Sequence, residues 1–292
     1  MLIIHFKRIT SEWILLLFIQ AVLSAEIPSS VKSQSMVSPY NYENVSAWGN
    51  LFPTCMGQQQ SPIALNKDTI FYTERTPLRW IGYDNQPTEM TLGNNGHTVK
   101  LIGKWKNGNV PYISGGPLLD DYVFGQIHFH WGPNDTYGAE HTMHGFTFPL
   151  EMHMVHYKRP YGSIGNALKH VDGLAVVGIL FTITNQTVVT TLDPVTDYLT
   201  YVSKPHTVSN IAPFRLSILG GIYSPMAFMS YSGSLTTPPC NEVVIWIVPI
   251  YAWPATSKQL SQLRSLQLQT HTRYNNRPLQ PLNGRHVYFY KT

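Results

Sequence analysis

The chain has 292 residues, a hydrophobic fraction of 43%, only 12% charged residues and a formal net charge of +4. That length supports one large domain or two small ones around a sizeable core. The mild positive balance comes without a basic run and gives no nucleic-acid surface, so no nucleic acid is expected as a partner.

At the N-terminus, Lys7 and Arg8 precede the apolar run from Trp13 to Ile19, and the small residues Ser24 and Ala25 follow. Basic, then apolar, then small is the order of a secretory signal peptide, expected over residues 1–24 and removed from a secreted, extracellular protein. The run is short for a bilayer span, and the C-terminus carries no apolar tail, so no membrane anchor is expected. Residues 25–38, rich in Ser and Pro, read as a flexible leader, and 39–292 as one domain without linkers or repeats. Three Asn-x-Ser/Thr triplets, at Asn44, Asn134 and Asn185, are glycosylation candidates that agree with secretion. In an oxidising compartment the two cysteines, Cys55 and Cys240, are expected to form one disulfide, with two free buried thiols as the alternative.

Strands are expected at 97–105, 122–131, 150–157, 173–183, 243–251 and 286–290, where apolar residues alternate or run continuously. Helical pattern is thin. One helix is expected after Pro254, where Leu260, Leu263 and Leu266 recur, and a second near 188–203. With 21 Pro and 21 Gly between the strands, the fold reads as a β-dominated α+β domain with a few short peripheral helices.

The stretch Gln126-Ile127-His128-Phe129-His130 puts His128 and His130 on one face of its strand and Ile127 and Phe129 on the other. Alone, the pattern suits either a solvent-facing pair or two ligands of a three-histidine zinc site. The next strand puts Glu151, His153 and Val155 on one face, and Met152, Met154 and His156 on the other. If the two strands are neighbours, His153 completes a trio that leaves one tetrahedral position open for water, as a catalytic zinc site requires. His156 falls on the wrong face and reads as a structural or surface histidine. Gln126 and Glu151 each lie two residues before a ligand, on its face, and suit the hydrogen bonds that fix imidazole tautomers. Other metal architectures fit worse. There is no His-Glu-x-x-His, Glu140 is ten residues past His130 and so too distant for a cupin site, and helices are too sparse for a (β/α)₈ barrel.

Further runs join these: Gln58-Gln59-Gln60-Ser61-Pro62-Ile63, Asn94-Asn95-Gly96-His97, Glu140-His141-Thr142, Ser234-Leu235-Thr236-Thr237-Pro238-Pro239-Cys240 and Asn276-Arg277-Pro278. With them, the chain from about Tyr42 to Tyr290 resembles an α-class carbonic anhydrase of the secreted, disulfide-containing type. The resemblance implies a twisted, mostly antiparallel ten-stranded sheet whose cleft ends at one Zn2+ ion. It makes His128, His130 and His153 the zinc ligands, Gln126 and Glu151 their partners, and Asn275 the source of a backbone carbonyl for the remaining ligand. Thr236 would accept from zinc-bound hydroxide and pass its own proton to Glu140, because an ionised carboxylate only accepts. Thr237 would position substrate. Val155, Val176, Leu235, Val244 and Trp246 would form the apolar wall for carbon dioxide. The implied reaction is reversible hydration of carbon dioxide to bicarbonate and a proton. In carbonic anhydrases the metal lowers the pKa of its water to about 7, a value known for that family and not obtained from these residues.

The same resemblance makes His97 the proton shuttle, with Tyr42 and Asn95 ordering the water chain, His141 a buried structural histidine, and Cys55–Cys240 the family's disulfide. Sulfonamide- and anion-type inhibitors, and a monomer or homodimer, are expected with it. One departure stands out. Lys100 occupies a cleft position where the family commonly carries Asn or Gln, and a cation there is expected to disfavour protonated His97 and slow turnover. The alternative function, a catalytically silent binding module of the same fold, is opposed by the intact ligand trio, Thr236 and Glu140. A structural zinc domain is opposed by the lack of a fourth protein ligand.

Overall fold

The computed structural model describes residues 39–66, 70–73 (backbone), 77–185, 191–219, 227–269 and 272–291. The expected signal peptide and leader lie outside the described residues.

Among the described residues, thirteen strands form one mixed sheet. Its continuous path runs Thr207–Ile211, Glu89–Asn94, Val99–Lys104, Tyr122–Trp131, Leu150–Lys158, Leu174–Ile183, Val244–Pro249, Phe228–Gly233, Val287–Tyr290, Ile70–Thr73. The resemblance implies ten strands; the sheet has thirteen, ten of them on this path. Most pairings are antiparallel; Leu174–Ile183 runs parallel to Val244–Pro249 and to Trp253–Ala255, and Val287–Tyr290 parallel to Ile70–Thr73. The central strands are long because Val, Ile, Leu, Phe and Met recur on both faces, so each contributes to two cores.

Alternation divides those cores. Ile127, Phe129, Met152, Met154 and Val177 enter the larger cluster, whereas Val155, Val176, Val244 and Trp246 enter a second cluster on the opposite face. Full burial of one such side chain contributes about 1.5–3 kcal/mol, so a one-residue slip of either histidine strand is strongly opposed. At Gly125 the register shifts by one residue, between Phe124 paired with His156 and Gln126 paired with Val155. The bulge reverses the parity of the strand, which places Tyr122 and Phe124 in the same core as Ile127 and Phe129.

The helix spans Ser257–Arg264, with Leu260 and Leu263 buried. It begins after Pro254, as expected, and Pro254 itself sits in the Trp253–Ala255 strand opposite Thr182. Thr256 is the cap: its hydroxyl accepts from Gln259 N–H at 3.2 Å, and Gln259 Oε1 accepts from Thr256 N–H at 2.9 Å. The second expected helix is two short turns, Asp193–Thr196 and the 3₁₀ turn Leu199–Val202. Among the described residues, no helix is long and apolar enough to cross a membrane.

Cys55 and Cys240 are disulfide-bonded across a sequence separation of 185. A bond of this kind persists in oxidising compartments and fits an extracellular protein. It ties the N-terminal segment around Tyr42 and Trp48 to the end of the Ser234–Cys240 loop. Replacing both cysteines with serine is expected to cost about 2–5 kcal/mol, read as a lower guanidinium midpoint with an unchanged slope.

Candidate metal centre

The strands Tyr122–Trp131 and Leu150–Lys158 are antiparallel neighbours, with His128 opposite His153 and His130 opposite Glu151. The three rings crowd together: centroids of His128 and His130 are 5.0 Å apart, of His128 and His153 5.0 Å, and of His130 and His153 4.5 Å. One nitrogen from each lies within 4.8 Å of the other two.

The surrounding acceptors decide which nitrogen carries the proton. His128 Nδ1–H donates to Gln126 Oε1 at 3.1 Å, and His130 Nδ1–H to the Asn275 carbonyl at 2.8 Å. His153 Nε2–H donates to Glu151 Oε1 at 2.8 Å. Those assignments follow from the acceptor-only character of the three partners. They leave lone pairs on His128 Nε2, His130 Nε2 and His153 Nδ1. His128 Nε2 and His153 Nδ1 stand 3.3 Å apart, and the buried His130 Nε2 has no hydrogen-bond partner. Three converging lone pairs suit a cation. Three neutral imidazoles, with no fourth protein ligand among the described residues, match an open tetrahedral zinc site. Burial and the neighbouring rings hold His128 well below the ordinary histidine range, and push His130 down to about 3. These shifts favour the neutral imidazoles that metal binding requires.

Glu151 is fully buried and fully used. Its Oε2 accepts from the backbone N–H groups of Glu140 and His141 at 2.8 Å each, and its Oε1 from His153 and from His141 Nδ1–H at 2.7 Å. Burial opposes its charge, but the His141 and His153 rings win and hold the carboxyl well below the usual range. His141 Nε2 lies 2.7 Å from the Tyr231 hydroxyl, which lies 2.9 Å from Ser61 Oγ. That makes a second histidine–carboxylate cluster, His141–Glu151–His153, a hydrogen-bonded support with its protons already placed. His156, on the other face, is buried in the core, bonded to the Tyr83 hydroxyl, and pushed down to about 3 by burial.

Thr236 and Glu140 are both buried beside the trio, and Glu140 Oε1 lies 3.2 Å from His130 Nδ1. Glu140 Oε1 accepts from the Arg277 backbone N–H at 2.8 Å, while Oε2 has no partner of ordinary geometry. Burial and the Glu151 charge raise the Glu140 carboxyl well above the usual range; the Thr236 hydroxyl and Arg277 pull it back. The Arg277 side chain holds the floor of the site, donating to Gln60 Oε1 and the Ser61 carbonyl at 2.9 and 2.8 Å. This buried arginine had no signal beyond its run in the sequence.

The residues of the expected apolar wall come together. Val155 faces Val176 across one strand pair and Val176 faces Trp246 across the next, with Leu235 and Val244 in the same cluster. The Trp246 and His153 ring centroids are 4.8 Å apart.

Tyr42, Asn95, His97 and Lys100 are the residues expected at the cleft mouth. Asn95 Oδ1 accepts from the N–H groups of His97 and Thr98 at 2.9 Å each, so it shapes the turn that carries His97. The tyrosine against His97 is Tyr40, stacked at 4.2 Å between centroids, and its hydroxyl is hydrogen-bonded to Thr237. Tyr42 is buried beneath it. Sequence reasoning missed Tyr40 because a lone aromatic near a leader carries no local pattern. Lys100, half-buried, pairs with His128 in register, and its charge acts on His128. Burial first and then the His206 charge lower His97. Asn44, Asn134 and Asn185 are exposed.

Known proteins place this arrangement. A family model described as eukaryotic-type carbonic anhydrase matches residues 43–291. Putative carbonic anhydrase 5 of Caenorhabditis elegans is 35% identical over 235 residues, covering 79% of this chain and 74% of the relative. Carbonic anhydrase 3 of Bos taurus and of Homo sapiens are each 32% identical over 247 residues, covering 82% of this chain and 92% of each relative. The chain belongs to the eukaryotic-type carbonic anhydrase family.

Proposed function

We propose that this protein is a secreted, zinc-dependent carbonic anhydrase that interconverts carbon dioxide and bicarbonate, with His97 moving the released proton outward. The observation that carries the reading is the convergence of three acceptor nitrogens, with the buried His130 Nε2 unpartnered. His128 Nε2, His130 Nε2 and His153 Nδ1 would hold the metal, which supplies a water ionising near neutral pH and a positive charge for a developing anion.

The chain's own residues do the rest. Glu140, raised by burial, is favoured in its charged form beside a divalent cation, and then accepts only. Thr236 therefore donates to the Glu140 carboxylate, and its own oxygen is left to accept. An O–H beside Thr236 is turned to donate to it, which aims the remaining lone pair across the site. The wall of Val155, Val176, Leu235, Val244 and Trp246 faces that lone pair with apolar surface, which suits an uncharged, apolar substrate and excludes ordered water. Thr237, tied to Tyr40, is placed to hold a product oxygen. The complete trio with Thr236 and Glu140 also speaks against the silent-module reading. The disulfide and the exposed Asn44, Asn134 and Asn185 support secretion, with sugars on those asparagines.

Purified full-length secreted protein is expected to carry one zinc per chain and to hydrate carbon dioxide in stopped-flow assays, with inhibition by a sulfonamide. Folded protein with full zinc and no hydration would overturn the enzyme reading and favour the binding module.

A further inference from the structure

The turn that carries His97 is covered by the chain leading into the Thr207–Ile211 strand. His206 N–H donates to the Asn94 carbonyl at 2.7 Å, and Gln269 N–H donates to the Gly96 carbonyl at 2.7 Å. A side chain on Gly96 would come within 3.5 Å of His206 Cε1 and 2.9 Å of Gln269 Oε1, so the His206 imidazole lies directly over this turn. His206 also sits at φ 62, in the left-handed region that costs a residue other than glycine about 1–2 kcal/mol. The two histidines differ in exposure. His97 is half-buried with its ring stacked on Tyr40, and His206 is exposed to solvent. Their charges act on one another.

We infer that His206 is the outer station of a two-histidine relay, taking the proton that His97 brings out of the cleft and handing it to buffer. The inference rests on the reading of His97 as the shuttle. In the first transfer, protonated His97 becomes neutral as neutral His206 gains the proton, directly or through one water. In the second, His206 returns to neutral as a buffer base takes the proton. Histidine suits both positions because its ordinary charge change falls near neutrality. The direction is set by exposure. Burial weakens the hold of His97 on the proton, and the exposed ring is the one a buffer molecule reaches.

His206→Asn keeps the turn, since asparagine tolerates the left-handed conformation, and removes the titrating ring. The zinc-loaded protein is compared with His206→Asn, His97→Ala and the double variant by stopped-flow hydration in dilute and in concentrated imidazole buffer. In dilute buffer, His206→Asn is expected to lower maximal turnover roughly two- to five-fold with kcat/KM unchanged, and concentrated imidazole to restore it. The double variant is expected to match His97→Ala, because a relay without its inner station has no use for the outer one. As a second readout, the His97 imidazole resonance is expected to titrate at higher pH in His206→Asn, since a neighbouring positive charge has been removed. Parent-like turnover of His206→Asn in dilute buffer, or a double variant slower than His97→Ala, would overturn the relay while leaving the shuttle intact. An unaffected His97→Ala would overturn shuttle and relay together, and absence of hydration in the parent would remove the enzyme reading itself.

Discussion

His153→Ala protein is expected to fold, to lose zinc on dialysis, and to hydrate carbon dioxide roughly a thousandfold or more slowly than the parent. His153 is the one proposed ligand from the Leu150–Lys158 strand, and it stands across the strand pair from His128. Without it, His128 and His130 remain as two imidazoles on one strand, which hold a metal far more weakly than a preformed trio. The protein is expected to survive the change because Glu151 is not abandoned. Its carboxylate keeps His141 Nδ1–H at 2.7 Å and two backbone N–H groups at 2.8 Å, so the buried charge stays compensated. The lost hydrogen bond and the emptied space together cost about 2–4 kcal/mol, within the reserve of a domain this size. Zinc content by atomic absorption, hydration by stopped flow and a circular dichroism melt separate the two effects. A folded variant that retains zinc and hydrates at the parent rate would rule His153 out as a ligand. Gln126→Ala is the graded control: the His128 ring loses its orienting acceptor but not its nitrogen, and metal affinity is expected to fall about 10–100-fold.

How much of this was legible in the sequence depends on how local each signal is. The strands at Tyr122–Trp131, Leu150–Lys158 and Leu174–Ile183 were legible because they sit at the centre of the sheet, buried on both faces, and their apolar residues are dense. Glu89–Asn94 and Thr207–Ile211 were not, since they lie toward one edge, expose residues such as Glu89 and Val208, and include Gly93, Asn94 and Asn210. Phe228–Gly233 was missed because two serines and a terminal glycine resemble a loop, although Ser230 is buried. Period-two alternation put His128 and His130 on one face and His153 on the face of Glu151, but the bulge at Gly125 was not legible, and it decides which core Tyr122 and Phe124 enter. Contacts that join remote segments left no local trace. Arg277 reaches Gln60 across 217 residues and Tyr231 reaches Ser61 across 170. Tyr40 and His206 belong to the same class: each matters only because the fold sets it beside His97.

The second large effect is expected at Thr236. Thr236→Val keeps the volume of a buried side chain and removes both the proton given to Glu140 and the lone pair offered to the nucleophile. With orientation lost and the metal site untouched, kcat/KM is expected to fall about a hundredfold at full zinc content, the order of loss caused by a misplaced reacting group. A parent-like kcat/KM in the zinc-loaded variant would show that Thr236 aims nothing. Stability carries an independent signature of the same pair. The Glu140 carboxyl is raised by burial and by Glu151, and the Thr236 hydroxyl is one of the groups pulling it back toward ionisation. For a carboxyl whose folded pKa lies above its unfolded value, the unfolded chain releases its proton first. The contribution to stability is then complete below about pH 4.3, the ordinary glutamate value, and is lost as pH rises toward the folded value. Removing the hydroxyl raises the folded value further, so metal-free Thr236→Val is expected to lose more stability than the metal-free parent between pH 5 and pH 8. Urea midpoints of both metal-free proteins across that range check the sign, and parallel pH profiles would mean that Thr236 does not stabilise the charged form of Glu140. A hydroxyl that supports a buried carboxylate from one side and accepts from the other is the simplest arrangement that uses both of its hydrogen-bonding capacities. The two measurements test those capacities separately.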